Sequence, residues 1–118
     1  MKNKDFGKEL EERTLKFGII IIKMSVQLPN TPEGRVVRTQ ITKSGTSVGA
    51  NYREANRSRS KAEFRNKISI CLSEASETQY WLNVIKETKF YTKDDFQEIY
   101  NECCELLALF TSIHHNTK

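Results

Sequence analysis

The sequence predicts an all-α fold, an antiparallel up-and-down four-helix bundle in which residues 1–118 form one domain. Three observations carry that prediction. The chain has 118 residues, enough to bury a core of its own without disulfides or a structural metal. It holds only two prolines and five glycines, and its periodic stretches are rich in Leu, Ile, Lys and Glu, which favour helix over turn-punctuated strands. Four stretches repeat apolar residues at alternating steps of four and three, the spacing that lines up one face of a helix.

The first helix is expected over about residues 8–28, with Leu10, Thr14, Phe17, Ile21, Met24 and Leu28 on one face and Pro29 ending it. The second, about 32–57, opens with Thr31 as a cap and Pro32 at the first helical position. It runs through Val37, Ile41, Ser44, Val48, Asn51 and Ala55, then fades in Arg57-Ser58-Arg59. Ser60-Lys61-Ala62-Glu63 reads as a capping box for a third helix, about 61–89. Its stripe is Phe64, Ile68, Cys71, Ala75, Thr78, Leu82 and Ile85. Thr92-Lys93-Asp94-Asp95 offers a cap for a fourth, about 93–115, with acids suited to the helix dipole. Phe96, Ile99, Cys103, Leu106, Phe110 and Ile113 form its stripe. Short connections make antiparallel packing around one shared core the simplest arrangement, with neighbours crossing at about 20°.

The first helix also carries Ile19, Ile20 and Ile22, and the third Ile70, Tyr80, Trp81 and Val84. These either widen the stripes that fill the core or form a buried subunit interface, with Ile19, Ile22, Ile70, Tyr80 and Trp81 as its candidates. Exposing that much contiguous apolar surface is unusual in a monomer. In the second helix, QITKSGTSVGANYRE is poor in large side chains. Gly45 and Gly49 within it each cost about 1 kcal/mol relative to alanine. Their small size lets another backbone approach closely. Ser44 and Asn51, on the core-facing stripe, need buried hydrogen-bond partners, and Glu54, Glu74 and Glu77 are the candidates.

The net charge of +4 conceals an asymmetry. Residues 35–67 hold nine Lys/Arg against Glu54 and Glu63, a net of +7, whereas residues 68–118 hold four basic and eight acidic residues, a net of −4. Arg53, Arg57, Arg59, Lys61, Arg65 and Lys67 surround the connection between the second and third helices, where a phosphate backbone could meet several cations and release counterions. Arg35, Arg38 and Lys43 stand behind them. With no base-reading motif, binding to structured RNA or DNA would be led by shape or charge. The plainer reading is a solvated polar face, partly neutralised by the acidic fourth helix of a neighbouring copy. A rival is an adaptor whose basic block meets an acidic protein, with Tyr80 and Trp81 as an aromatic anchor.

Other classes are disfavoured. Cys71, Cys103 and Cys104 give an odd count with no CxxC spacing, which fits a reducing cytoplasm better than a secreted disulfide framework. The apolar run Ile19–Ile22 is flanked by Lys16 and Lys23 and falls far short of a membrane span of about 20 residues. The charged Met1–Glu12 stretch lacks a signal-peptide pattern. Cys103, Cys104, His114 and His115 share the last helix, but about 15 Å of helix separates the two pairs, too far for one metal ion. Glu98, Glu102 and Glu105 form a ladder that reads as a solvated face. No catalytic residue, metal site or cofactor is expected, and the chain is read as a cytoplasmic non-enzyme.

QITKSGTSVGANYREA, followed by FRNKISICLSEASETQYWL, resembles the four-helix bundle proteins encoded within intervening sequences of bacterial 23S ribosomal RNA genes. The resemblance covers nearly the whole chain, including Leu28-Pro29, Ala50-Asn51, Glu54, the run through Glu77, and Trp81-Leu82. That family is similar in turn to accessory proteins of diversity-generating retroelements. The resemblance implies a ring-like homo-pentamer with a basic surface that engages nucleic acid, and it extends to a reverse transcriptase as a partner.

Overall fold

The computed structural model describes residues 2–117 and places four helices in chain order: α1 (Lys2–Ser25), α2 (Pro32–Ala55), α3 (Lys61–Thr88) and α4 (Phe96–Asn116). There is no strand among the described residues. Each helix lies antiparallel to the next, as the cross-links show. Asn56 reaches Glu11 while Thr42 reaches Ser25, and Lys67 reaches Glu54 while Thr78 reaches Ser44. α4 returns to α1, so the helices form a closed square in which the α1–α4 side is the loosest. Arg13 clamps that side with a forked contact to Glu102, at 2.7 and 2.6 Å, and a further bond of 2.8 Å to Glu105. The Glu102 hydrogen bond outweighs partial burial and holds the Arg13 guanidinium more firmly protonated than usual.

Local chemistry explains the boundaries. Thr31 Oγ1 accepts from Gly34 N at 3.0 Å and Pro32 opens α2, as its sequence predicts. At α3, Ser60 Oγ accepts from Glu63 N at 3.0 Å. α1 starts six residues before the expected position 8, because the charged Lys and Glu that precede Leu10 are good helix formers in their own right. It ends at Ser25, three residues early. The chain then tightens through Gln27 N to Met24 O and Leu28 N to Ser25 O, which still buries Leu28. α4 begins at Phe96, not 93. Asp95 makes no side-chain cap; its Oδ1 instead accepts from the Tyr91 hydroxyl at 2.7 Å.

The predicted stripes of α1 and α3 supply the core, apart from Phe64, which is half-buried. In α2 the stripe shifts by one residue near its end: Tyr52 is buried and Asn51 is half-buried. A straight helix drifts about 20° per heptad, and the Tyr52 ring fills the space edge-on to Phe110, with centroids 5.5 Å apart. Asn51 turns aside and donates to Ser47 O at 2.8 Å. Gly45 and Gly49 are where α1 comes closest. A Cβ at 45 would lie 2.8 Å from Ile21 Cγ2, and one at 49 would lie 3.2 Å from the Thr14 carbonyl oxygen.

The buried polar partner of Ser44 is Thr78, not a glutamate. The two hydroxyl oxygens are 2.9 Å apart, and Thr78 also donates to Glu74 O at 2.8 Å. Glu54 and Glu77 are exposed: Glu54 accepts from Lys67 and Glu77 from the Trp81 indole N–H. Carboxylates keep their solvation when two hydroxyls can satisfy each other. Thr78→Val would leave Ser44 with only its 3.4 Å contact to Ile41 O. It is expected to cost about 1–2 kcal/mol. Adding Ser44→Ala should recover most of that loss in urea unfolding, and simple addition of the two losses would contradict the pairing.

Candidate nucleic-acid interface

Antiparallel packing gathers the C-terminal turns of α2 and α4 with the N-terminal turns of α1 and α3 at one end of a bundle 45 Å long. The α2–α3 connection crosses this end. Asn56 ties it to α1, donating to Glu11 Oε2 at 2.8 Å and more weakly to Gly7 O at 3.4 Å. Arg57 folds back on Arg53 O at 3.0 Å and lies 3.9 Å from Glu11. Lys67 pairs with Glu54 at 2.9 Å. Arg53, Arg59 and Lys61 are exposed and have no ion pair among the described residues. Arg65 is half-buried, and its Nε is enclosed without an acceptor.

The other three predicted cations do not join this group. Arg35 and Arg53 are separated by 18 residues of one helix, about 27 Å at 1.5 Å per residue. Arg35 bonds to Asn30 Oδ1 at 3.2 Å. Arg38 donates through Nε to Ser25 O at 3.1 Å and through Nη2 to Leu28 O at 2.8 Å, so it caps the end of α1. Lys43 is exposed beside Glu74 in the middle of the bundle. Burial and the nearby Glu77 charge push the Glu74 carboxyl up, and Lys43 opposes them.

Three polar residues outside the predicted set sit with Arg65. Asn66 and Ser69 of α3 and His114 of α4 line an open recess with Ala62 and Arg65. His114 is half-buried inside α4 and is not part of a frayed terminus. The 65–66–69 spacing places three of these on one side of α3, but His114 reaches them only through tertiary packing. Cys71 and Cys103 are core thiols that contact Val48 O and Ala75 O, and burial pushes both up to about 12.

Of the surplus apolar residues, Ile19, Ile20 and Ile22 are each 42% exposed and Tyr80 is 59% exposed. Trp81 and Val84 instead pack against the core, and Ile70 is half-buried. No helix among the described residues is long and apolar enough to cross a membrane.

The fold defines a small four-helix bundle whose α2–α3 connection gathers several exposed cations at one end. The chain belongs to the family of 23S rRNA-intervening sequence proteins, whose model matches residues 9–112. It is also similar to a crystal structure, at 1.70 Å resolution, of a protein of unknown function from the S23 ribosomal protein family of Bacteroides thetaiotaomicron. The two are 37% identical, with a TM-score of 0.83 over 92% of this chain and 97% of the other. No curated protein matches the chain.

Proposed function

We propose that this protein is a non-enzymatic, self-associating bundle that binds structured RNA or DNA through the α2–α3 end. The observation that carries this reading is the convergence of Arg53, Arg59 and Lys61, all exposed and free of ion pairs among the described residues, with Arg57 and Arg65. Cations without internal partners are available to phosphates, and counterion release supplies the driving force. Self-association is supported by the exposed ridge of Leu15, Ile19 and Ile22 on α1, continued by Val26 just past its end, whose 4, 3, 4 steps follow a coiled-coil seam. The five-fold ring is an inference from family resemblance. An adaptor role, such as docking on a reverse transcriptase or another acidic partner, is the second reading. It has Tyr80 in its favour, exposed and set edge-on to Trp81 at 5.0 Å.

Fluorescence anisotropy of a labelled RNA hairpin and a matched DNA duplex tests the reading. Four neutralised phosphates give a log–log salt slope of about −3.6, hence roughly 100-fold weaker binding between about 50 and 200 mM salt. The triple variant Arg53→Glu/Arg59→Glu/Lys61→Glu should lose measurable binding while keeping its helical circular dichroism, and the RNA should be recovered intact. Absence of binding to either ligand at low salt would sink the nucleic-acid reading and leave the cationic end as a protein-docking surface.

A further inference from the structure

The recess between α3 and α4 lies on the flank of the cationic end away from the α1–α2 groove that Arg53 and Arg57 line. Its polar lining residues are Arg65, Asn66, Ser69 and His114. Among the described residues, none of the four side chains makes a hydrogen bond and no carboxylate lines the recess. Arg brings a permanent positive charge and a planar fork suited to phosphate. Asn and Ser each bring a donor, and His offers at least one ring N–H in either protonation state. The Arg65 Nε is shut off from solvent without an acceptor, so a phosphate in the open recess would be met by the other guanidinium nitrogens, each a permanent donor. Helix dipoles do not decide the matter here, because the N-terminus of α3 and the C-terminus of α4 sit side by side with opposite sign. The selectivity comes from side chains that mostly donate. A metal cation would meet Arg65, and an apolar ligand would leave these polar groups unpaired.

We infer that this recess is a subsite for a single phosphate group, held by Arg65, Asn66, Ser69 and His114. This inference rests on the nucleic-acid reading for its natural ligand, a backbone phosphate. It extends that reading by making the contact surface wrap around the end of the bundle. The bundle is 19 to 23 Å across, so a strand advancing about 3.4 Å per nucleotide would be held at both flanks over roughly six steps.

The test combines two arms on the full chain. In the first, inorganic phosphate is titrated into 15N-labelled protein, and the expected result is saturable shifts confined to Ala62–Ser69 and the turn around His114. In the second, RNA-hairpin affinity is compared between Ser69→Glu and Ser76→Glu. Both sites are exposed on α3, so the net charge change is equal, but only the first puts a carboxylate in the recess. Ser69→Glu should weaken RNA binding about tenfold more than Ser76→Glu and abolish the phosphate shifts. Local phosphate shifts in a protein that binds no nucleic acid would keep the subsite with free phosphate as its ligand, and would remove only the broader reading. Equal affinities for the two variants together with no local phosphate shifts would overturn the subsite, even if the Arg53/Arg59/Lys61 end still binds RNA.

Discussion

Gly34→Ala is expected to lower the unfolding free energy by about 3 kcal/mol, against a helix propensity that favours alanine by roughly 1 kcal/mol. Gly34 is buried in the first turn of α2, and its N–H already donates to the Thr31 cap at 3.0 Å. Its backbone does not have a positive φ, so space, not conformation, demands glycine. A Cβ there would fall on the Pro29 carbonyl oxygen and lie 2.8 Å from the Pro29 carbonyl carbon. That stretch has little freedom to yield, because Leu28 is buried in the core and its carbonyl accepts from Arg38 at 2.8 Å. In urea the midpoint should fall by about 1.5–2 M for an m-value near 1.5–2 kcal/mol/M. An unchanged or higher midpoint would mean that propensity governs this position and that the α1–α2 turn is free to adjust.

Gly34 also marks where sequence reasoning reached its limit. The stripes of the four helices were legible because a 4, 3 alternation has only one helical face to occupy. The small size of Gly45 and Gly49 was legible because two glycines inside a helix need a reason, and the close approach of α1 supplies it. Gly34 gave no such signal, since a residue near a helix start carries little propensity cost and the obstructing carbonyl belongs to the preceding turn. Ser44 and Thr78 both stood on predicted core stripes. The carboxylates looked like stronger partners, but Glu54 and Glu77 lie outside the core, and the matching heights of Ser44 and Thr78 depend on the register of α2 against α3. Asn51 and Tyr52 were exchanged because a heptad count cannot follow the drift of a straight helix over its last turns.

The site shows the same division between local and spatial information. A charge count along the chain finds the basic block but treats it as one patch, although the 18 residue steps from Arg35 to Arg53 amount to about 27 Å along a helix. Only the residues beside the α2–α3 connection are brought together. His114 joins Arg65 because α4 returns antiparallel to α3, and no spacing within either helix could have paired them.

Arg38 is the residue whose role changes most when the structure is taken into account, and Arg38→Met makes the change measurable. The substitution keeps an apolar stem and removes the guanidinium that reaches Ser25 O and Leu28 O. Leu28 O lies beyond α1, where backbone donors run out, while Ser25 O, on the last residue of the helix, also accepts from Leu28 N. Hydrogen bonds to a charged group contribute about 1.5–3 kcal/mol each, and partial solvent access reduces the pair to an expected loss of about 2–3 kcal/mol. Arg35→Met, one turn away and exposed, should change stability by less than about 0.5 kcal/mol. Under conditions where Arg38→Met remains folded, its RNA affinity and salt slope should match those of the unsubstituted protein, because the capped α1 end lies at the far end of α2 from Arg53 and Arg59. A salt slope reduced by about one without a loss of stability would instead identify Arg38 as a phosphate contact, and would move the binding surface from the end of the bundle to its side.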